Sequence, residues 1–545
     1  MRNPRNWICQ SMLVAVALRL LLLPTLAPSA LAQDKPRAGG ELVFAVPAEP
    51  PSFDAHRENT FAVIHPISPH YNLLLKVHSE DPNTIIGDLG ERWTISEDKL
   101  VYTFKIREGV KFHDGSLLRA KDIKATYDKI IFPPPGVASE RKGAYAAVEA
   151  VEAPDDSTVR FRLKWPSASL LSNLASPWNY IYKAEILAKD PQWYEKNIMG
   201  TGPFTFVEYV RGSHWVGKKN PDYWDKGKPY LDGYRAIFIR DTGARVAAIR
   251  GERAMIEFRG FNPARRDDLV KALGQKITVQ ESAWDCALWV TPNHEKKPFD
   301  DTRVRRALTL ALDRWEGSRV LSKITIVKEV GGVLVPGTPF ATPEAELVKL
   351  VGFWKDSEAS RKEARRLLRE AGVPEGFSFT FLNRAIPEPY EPLGIWLLDQ
   401  WRKVGLNVEQ KSLETGPFYQ DLRGGTFDVS IDFQCGYIVD PDLDLYKFQS
   451  GPTTADPTSI SDANYGRYKD QVLDDVYVKQ SRATDPEARK QYIRQFEKRL
   501  LDEQAHQFIT LWWHRIISHN AKVKGWKITP SHYLNQQLDT VWLTE

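Results

Sequence analysis

Two acidic residues near position 440 have a spacing that could serve chemistry. Asp440 and Asp442 flank Pro441 and follow the aromatic Tyr437 closely. Paired carboxyl groups act as general acid and base in hydrolases, although spacing alone does not assign the two roles. A ligand-binding wall and a surface turn are the alternatives, because aspartate and proline are also frequent in turns.

Two histidine-acid pairs are weaker candidates for a metal or acid-base site. His113 and Asp114 precede Gly115, and glycine accepts the positive φ that many turns require, so this motif is more typical of a turn. His294 and Glu295 resemble the start of H-E-x-x-H, but the second histidine is missing. The sequence also lacks G-x-S-x-G, P-loop and dinucleotide-binding glycine motifs. We therefore predict a protein that is not an enzyme and binds no metal or cofactor.

Hydrophobic periodicity predicts the elements that hold these residues. Residues 100–106 alternate as a half-buried strand, and residues 110–112 predict a second strand that completes a hairpin. Residues 123–131 carry apolar side chains at helical spacing. A strand and a helix therefore surround the His113 turn.

Helices and strands alternate in the second half of the chain. Ser360 and Glu363 predict a capping box at the start of one helix, and the strand Phe377–Asn383 follows it. A helix over 397–404 leads to another strand, and residues 429–433 predict a buried strand before the acidic pair. This alternation is typical of an α/β fold.

Three stretches together resemble a known family. They are YTFKIREGVKFHDG, which ends at Gly115, GTGPFTFVEY from Gly200, and PFDDTRVRRALTLALDR, which ends at Arg314. The chain is similar there to the family 5 solute-binding proteins, the extracytoplasmic receptors of peptide-type ABC importers. The resemblance implies an α/β, periplasmic-binding-protein-like fold with two large lobes around a cleft and a smaller inserted domain.

The resemblance also implies a division of the chain into units. We expect a signal peptide at 1–32, lobe I at 33–78, 199–285 and 515–545, an inserted domain II at 79–198, and lobe III at 286–514.

Candidate ligand contacts follow from the same likeness. The loop after the first strand looks onto the cleft in the family, and open α/β sheets place ligands at strand ends. The predicted ligand-binding residues are Phe53, Trp289, Arg384, Tyr437 and Asp440. The earlier acidic residue that peptide receptors of the family carry before Asp-Pro has no clear counterpart here.

These expectations define a function with open alternatives. The first is a monomeric periplasmic receptor that captures a short peptide or similar solute and delivers it to an inner-membrane ABC permease. A receptor of the same fold for an opine, a sugar or a chelate is the alternative, followed by a secreted hydrolase and a periplasmic chaperone. A ligand trapped between lobes stabilises the closed state because it contacts both of them.

The N-terminus predicts export. Arg2 and Arg5 precede an apolar run over 12–23, and Ala30-Leu31-Ala32 provides a small-x-small cleavage pattern; Met12 is an alternative start. Cleavage removes three arginines and no acidic residue, so the formal charge of +4 becomes +1. This balance does not predict nucleic-acid binding.

Two cysteines remain after cleavage. Cys286 and Cys435 both lie beside apolar, strand-like runs. An oxidising periplasm permits them to pair, whereas two free buried cysteines are the alternative.

Overall fold

The computed structural model describes residues 35–450 and 464–545. The predicted signal peptide at 1–32, with both candidate start residues, lies outside the described residues. The strands are β1 (Glu41–Val46), β2 (Leu75–Val77), β3 (Ile85–Gly87), β4 (Gly90–Ile95), β5 (Val101–Ile106), β6 (Val148–Asp155), β7 (Thr158–Leu163), β8 (Phe204–Val210), β9 (His214–Lys219), β10 (Gly233–Phe238), β11 (Ile256–Glu257), β12 (Ile277–Pro292), β13 (Val327–Glu329), β14 (Ser378–Arg384), β15 (Asn407–Leu413), β16 (Val429–Cys435), β17 (Phe508–Asn520), β18 (Val523–Lys524) and β19 (Trp542–Leu543).

Helices connect most of these strands. They are α1 (Phe61–Ile67), α2 (Ala120–Ile131), α3 (Leu170–Leu174), α4 (Ala184–Lys189), α5 (Thr242–Arg250), α6 (Pro263–Leu273), α7 (Thr302–Leu310), α8 (Arg314–Leu321), α9 (Glu344–Leu347), α10 (Ser357–Glu370), α11 (Tyr390–Arg402), α12 (Thr415–Gly424), α13 (Pro441–Leu445), α14 (Gln471–Arg482) and α15 (Pro486–Glu497).

Lobe I is built on a five-stranded sheet with the order β11-β1-β10-β9-β8. Strand β1 pairs in parallel with β10 and β11, so the first strand of the described residues is an interior strand of this sheet. The C-terminal residues return to the same lobe, where Trp526 and Val541 join its core. Arg37 and Glu545 form an ion pair of 2.7 Å. Both ends of the described chain therefore belong to lobe I.

Domain II is built on a four-stranded sheet with the order β4-β5-β7-β6, packed against α2. The predicted alternation in β5 is confirmed, since Tyr102, Phe104 and Ile106 are buried. The predicted helix over 123–131 lies within α2, and Asp122 caps its first turn by accepting a hydrogen bond from the Arg119 amide at 2.8 Å. Local patterning was sufficient for these elements because each packs with residues close to it in the chain.

The predicted hairpin after β5 is wrong. Val110 and Phe112 are buried, but they form no strand, and only a single bridge joins Lys111 to Leu117. Both edges of β5 are already occupied, by β4 on one side and β7 on the other. The turn itself is confirmed, because Gly115 has a φ of 86° and Asp114 accepts a hydrogen bond from Ser116 at 3.0 Å.

Lobe III contains a six-stranded sheet with the order β13-β17-β12-β16-β14-β15. Strand β14 pairs in parallel with β15 and β16, as expected where helices alternate with strands. The largest apolar cluster of the described residues surrounds this sheet. The predicted α/β, two-lobed fold with an inserted domain is confirmed.

Two long strands run from lobe I into lobe III. Strands β12 and β17 pair antiparallel from Ile277 opposite Asn520 to Val290 opposite Phe508. Near its lobe I end β17 also bonds to lobe I, where the Asn520 amide donates to the Met255 carbonyl at 2.7 Å. The predicted lobe boundaries after residues 285 and 514 fall inside these strands. Any movement of one lobe against the other therefore bends the β12-β17 pair.

Two local predictions in lobe III need correction. Helix α10 begins one turn earlier than its predicted capping box, because Asp356 caps it by accepting from the Ala359 amide at 2.9 Å. Ser360 instead lies inside the helix and donates to the Leu310 carbonyl at 2.7 Å. In β16, Val429 and Ile431 are buried as predicted, but Phe433 is 36% exposed.

The two cysteines lie directly opposite each other in β12 and β16. Cys286 is paired with Cys435 in the strand register, and their sulfur atoms form a disulfide bond. The two Cα atoms are 4.0 Å apart. This bond joins residues 149 positions apart in the chain within one lobe.

Of the helices in the described residues, none combines the length and apolarity needed to span a membrane.

Candidate functional site between lobe I and lobe III

A cavity of about 490 Å³ lies where β12 and β17 pass between the lobes. Lobe I contributes Pro47 and the segments 240–245 and 257–265, and lobe III contributes Ile326 and the loop 386–388. Trp284, His514 and Ile516 of the long strands also line it. Clefts of this size between structural units are the usual place for a small ligand.

The cavity wall is rich in positive charge. Arg240, Arg245, Arg259 and Arg265 line it, whereas Glu257 and Glu388 are the acidic residues of the lining. Arg245 is held by the protein itself, because its guanidinium donates to the carbonyls of Ile239 and Arg240 at 3.1 and 2.5 Å. The affinity of the cavity for a charged solute therefore depends on the other three arginines.

Arg259 lies on the lobe I wall between two aromatic rings. Its guanidinium carbon is 4.3 Å from the ring centre of Phe61 and 6.0 Å from that of Trp284. Among residues 35–450 and 464–545, its guanidinium has no hydrogen bond and no ion pair within 4.0 Å. Burial lowers the pKa of Arg259, while nearby Glu257 opposes that change.

The turn that carries Arg259 is fixed by Glu257. This carboxylate accepts hydrogen bonds from the backbone amides of Arg259 at 3.1 Å and Gly260 at 2.9 Å. Gly260 has a φ of 97°, and a Cβ atom there would lie 2.2 Å from the Ile516 carbonyl oxygen of β17. The backbone is thus pressed against the long strand, and only glycine fits this position without strain.

Trp284 is held in place by a histidine from the C-terminal return. Its Nε1 donates to Nδ1 of His532 at 3.1 Å, and the ring centres are 5.3 Å apart. Burial holds the pKa of His532 well below its ordinary value, and neighbouring Arg259 acts in the same direction. His532 is therefore neutral at physiological pH, and its Nδ1 accepts the hydrogen bond from the tryptophan N–H.

A hydrogen bond joins the two lobes at the cavity rim. Nδ2 of Asn262 donates to Oε1 of Glu388 at 2.5 Å, which links the start of α6 to the loop after β14. Asn262 also caps α6 through its side-chain oxygen, at 3.0 Å from the Arg265 amide. Burial raises the pKa of Glu388, and the bond from Asn262 opposes that rise.

The predicted residue Arg384 lies at the end of β14, two residues before the cavity loop. Its guanidinium donates to the Tyr390 hydroxyl at 2.9 Å and to Oγ1 of Thr415 at 3.0 Å. The rings of Tyr419 and Phe433 lie 5.3 and 5.8 Å from it. Lobe III therefore places the Arg384 guanidinium among aromatic rings, which we call its aromatic frame (Tyr390, Tyr419 and Phe433), two residues before the cavity loop.

Tyr437 and Asp440 lie together on the loop after β16, outside the cavity lining. Tyr437 is half-buried against the cores of domain II and lobe I, and burial raises its pKa to about 12. Asp440 is buried, caps α13 by accepting from the Asp442 amide at 2.9 Å, and forms an ion pair with Arg489 at 2.7 Å. The negative charge of Asp440 is therefore neutralised by Arg489 within lobe III.

The structure places the other two predicted residues in the cores of the lobes. Trp289 is fully buried in lobe III, with its ring centre 4.4 Å from that of Phe448. Phe53 packs edge-on against Trp215 at 4.9 Å in lobe I. Neither side chain lines the cavity. Within the described part of the chain, no group of three or more metal-ligating side chains is arranged to hold an ion.

A buried carboxyl pair lies where β12 enters lobe III. Burial raises the pKa of Asp285 to about 7 and that of Asp444 well above its ordinary value, and Asp285 adds to the rise at Asp444. Oδ2 of Asp285 has no hydrogen-bond partner among the described residues. A Cβ on Gly436 would lie 2.1 Å from this oxygen, so glycine is required there.

A second, smaller cavity of about 210 Å³ lies where the C-terminal segment packs beside β2. Each lysine of its lining is paired with a carboxylate: Lys76 with Asp539 at 3.5 Å, Lys228 with Asp225 at 2.9 Å and Lys527 with Glu80 at 3.4 Å. The cavity between the lobes has both the larger volume and the unpaired charge, and it is therefore the candidate ligand site.

Sequence reasoning did not find the main cavity residues. Arg259 and Trp284 belong to segments whose side chains meet only after β12 and β17 have brought the lobes together. The one local signal is Asn262-Pro263, which has the pattern of a helix start and thus marks the segment before it as a turn.

A two-lobed α/β fold with a cavity at its long connecting strands defines a solute-binding protein. The chain matches the family model of bacterial extracellular solute-binding proteins, family 5 (middle region), over residues 84–456, and it belongs to this family. Members of this family bind solutes for transport and are not enzymes.

Three relatives show the extent of the similarity. The chain is 28% identical over 512 residues to the di/tripeptide-binding protein 2 of Pseudomonas aeruginosa (strain UCBPP-PA14), covering 89% of this chain and 91% of that protein. It is 28% identical to the glutathione-binding protein GsiB of Escherichia coli (strain K12) over 62% of each chain. The structure of DppA from Helicobacter pylori in complex with the peptide STSA superposes with a TM-score of 0.73, at 26% identity, over 93% of this chain and 99% of that one.

Proposed function

We propose that this protein is the extracytoplasmic receptor of a peptide-type ABC importer and binds a short peptide or a similar small solute between lobe I and lobe III. The observation that carries the proposal is the cavity of about 490 Å³ at the β12-β17 crossing. Relatives that bind dipeptides, tripeptides and glutathione support the ligand class. The bound solute is then released unchanged to the permease.

The cavity explains how binding is coupled to closure. A solute there touches both lobes, so it stabilises the arrangement in which the Asn262 to Glu388 hydrogen bond is formed. The bending takes place in β12 and β17, because these strands belong to both lobes. The permease thus distinguishes a loaded receptor from an empty one by the relative orientation of lobe I and lobe III.

Arg384 and Tyr437 stay proposed as ligand contacts beside the cavity, although neither belongs to its lining. Arg384 and its aromatic frame adjoin the cavity loop, and Tyr437 reaches from lobe III to the opposite cores. Trp289, Phe53 and Asp440 do not line the cavity. Arg259 and Trp284 are added because they line the cavity directly.

Thermal shift and calorimetry with dipeptides, tripeptides and glutathione test the proposal. We expect at least one probe to raise the melting temperature and to bind with one-to-one stoichiometry. Mass spectrometry of solutes released by denaturing freshly purified protein provides an independent reading of the ligand. A protein that binds no probe and releases no solute would overturn the proposal, and so would one that hydrolyses a probe.

A further inference from the structure

Arg259 combines a cavity position with an uncompensated charge. It lines the space between the lobes, and among the described residues no acceptor lies within hydrogen-bond distance of its guanidinium. A guanidinium has five N–H donors in a planar fork that matches a carboxylate. Such a group inside a cleft is well placed to bind an anionic part of a solute.

The surrounding charges leave an excess of positive charge at this point. Glu257 is the acidic residue near Arg259, and its two oxygens already accept bonds from backbone amides. Arg515 lies close by, and it is bound to the carbonyls of Thr529 and Phe258. Arg245 also donates to backbone carbonyls, which have no net charge and therefore do not neutralise its guanidinium. One carboxylate therefore faces three guanidinium groups.

The walls beside Arg259 are aromatic and hold no free acid. Phe61 and Trp284 flank the guanidinium, and His532 next to them is neutral. On the lobe III side, Glu388 is engaged with Asn262. Solvent is displaced from such walls when a ligand enters, which strengthens a charge-assisted hydrogen bond.

Asp440, the acidic member of the predicted ligand-binding residues, is not in this cavity. Asp440 is 4% exposed and is paired with Arg489, so a cationic end of a ligand would have to break an existing ion pair to reach it. The cavity is therefore suited to bind an anionic group of a solute and not a cationic one.

From these observations we propose that Arg259 is the receptor for a carboxylate of the solute, which lies against Phe61 and Trp284, and that a free amino group is not required. The inference rests on the proposed function and specifies its substrate class as acidic solutes. The carboxylate can be the C-terminus of a peptide or an acidic side chain, and both share this chemistry.

Three probes separate these sources. Ala-Gln has only a C-terminal carboxylate, Ala-Glu-amide has only a side-chain carboxylate, and Ala-Gln-amide has none. N-acetylation of the best acid probe then tests whether the amino group matters. We expect one or both acid probes to bind at least about tenfold more tightly than Ala-Gln-amide. We expect N-acetylation to change the dissociation constant by less than about threefold.

Substitution of Arg259 tests the residue itself. R259Q should raise the dissociation constant of the acid probe at least about tenfold and leave Ala-Gln-amide unchanged, and R259K should fall between R259Q and the wild type. R253Q is the matched control, because Arg253 is exposed and outside the cavity lining. Unliganded R259Q should melt within a few degrees of the wild-type temperature, since the guanidinium makes no hydrogen bond to the described residues and R259Q loses only its contacts with the Phe61 and Trp284 rings.

The outcomes separate the inference from the function. Equal binding of the acid and amide probes, or equal binding of the acid probe by R259Q and wild type, overturns the inference and leaves the receptor function standing. If no probe binds, solutes released from the purified protein decide: an acidic solute that R259Q fails to retain supports the inference, and a neutral or cationic one overturns it. Absence of both binding and released solute overturns the proposed function as well.

Discussion

Lobe I has two interfaces of opposite character. Towards domain II it is closed by the buried ion pair of Asp54 and Lys129, at 2.5 Å, and by Arg141, which donates to the carbonyls of Ala55 and Glu58 at 2.5 and 2.7 Å. Towards lobe III it leaves a cavity, an unpaired Arg259 and one rim hydrogen bond. Charges that are paired inside the protein fix one interface, whereas charge left unpaired makes the other dependent on a ligand.

The electrostatics of the first interface support this contrast. Burial alone raises the pKa of Asp54, but the Lys129 ammonium outweighs it and holds the pKa below its ordinary value. Both side chains are almost completely buried, at 2% and 3% exposed. Such a pair is costly to break, because the remaining charge has no solvent to stabilise it.

The largest expected effect is on this ion pair. K129M should lower the free energy of unfolding by about 4 kcal/mol, because it leaves Asp54 buried and unpaired. Urea denaturation measures this loss. K121M is the control, since the Lys121 and Glu185 pair is more than half exposed and should contribute less than about 1 kcal/mol. Equal losses in the two variants would contradict a fixed interface with domain II.

The disulfide comes next, and it lies within lobe III. The double variant C286A/C435A should lose about 3 kcal/mol of unfolding free energy, the typical cost of removing a disulfide bond; this bond joins residues 149 positions apart in the chain. Its affinity for the best probe should change by less than about threefold, since the bond spans β12 and β16 and not the two lobes. A large loss of affinity with little loss of stability would place the bond in the moving part instead.

The carboxyl pair near the long strands predicts an unusual pH dependence. The pKa of Asp285 is raised to about 7, so the folded state holds its proton more tightly than the unfolded chain does. This contribution to stability is complete below the unfolded pKa of about 4 and is lost as the pH rises through the folded value. We expect the wild type to lose about 2 kcal/mol more than D285N between pH 5 and pH 8.

Denaturation curves of both proteins at the two pH values check this expectation. D156N is the control, because Asp156 is 72% exposed and should follow the wild type. Asp54 predicts the opposite sign, since its lowered pKa makes its contribution disappear as the pH falls below about 4. The same pH dependence of the unfolding free energy in D285N and in the wild type would contradict the raised pKa of Asp285.

The smallest effect concerns the rim of the cavity. E388A should bind the best probe about fivefold more weakly than E388Q, which corresponds to about 1 kcal/mol for one hydrogen bond. Glutamine keeps an acceptor for Asn262, and both variants remove the charge, so their difference isolates the bond. Calorimetry that finds equal affinities would show that this bond does not stabilise the closed lobes.

The two interfaces also explain what the sequence could and could not predict. In domain II, β5 and α2 follow from their own periodicity, because their partners lie within about 60 residues of them along the chain. The prediction of a hairpin after β5 failed because the preceding strand β4 and the distant strand β7, more than 50 residues further along the chain, already occupy both edges. Local pattern identifies an element but not its neighbours.

The candidate site shows the same limit more strongly. Arg384 was predicted because it ends a strand, whereas Arg259 lies after the two-residue strand β11, in a turn without a recognisable motif. Asp440 fitted the family pattern, and its pairing with Arg489 depends on a helix 49 residues further along the chain. Whether a charged side chain is paired or free is decided by tertiary contacts, so the sequence could name charges but not which one remains available.

Distance measurements between the units test the central claim most directly. Spin labels at exposed positions 253 in lobe I, 362 in lobe III and 97 in domain II report both interfaces in one protein. With a saturating probe, we predict that the lobe I to lobe III distance distribution shortens and narrows, while the lobe I to domain II distribution does not change. A ligand-induced change confined to domain II, or none at all despite binding, would contradict the account.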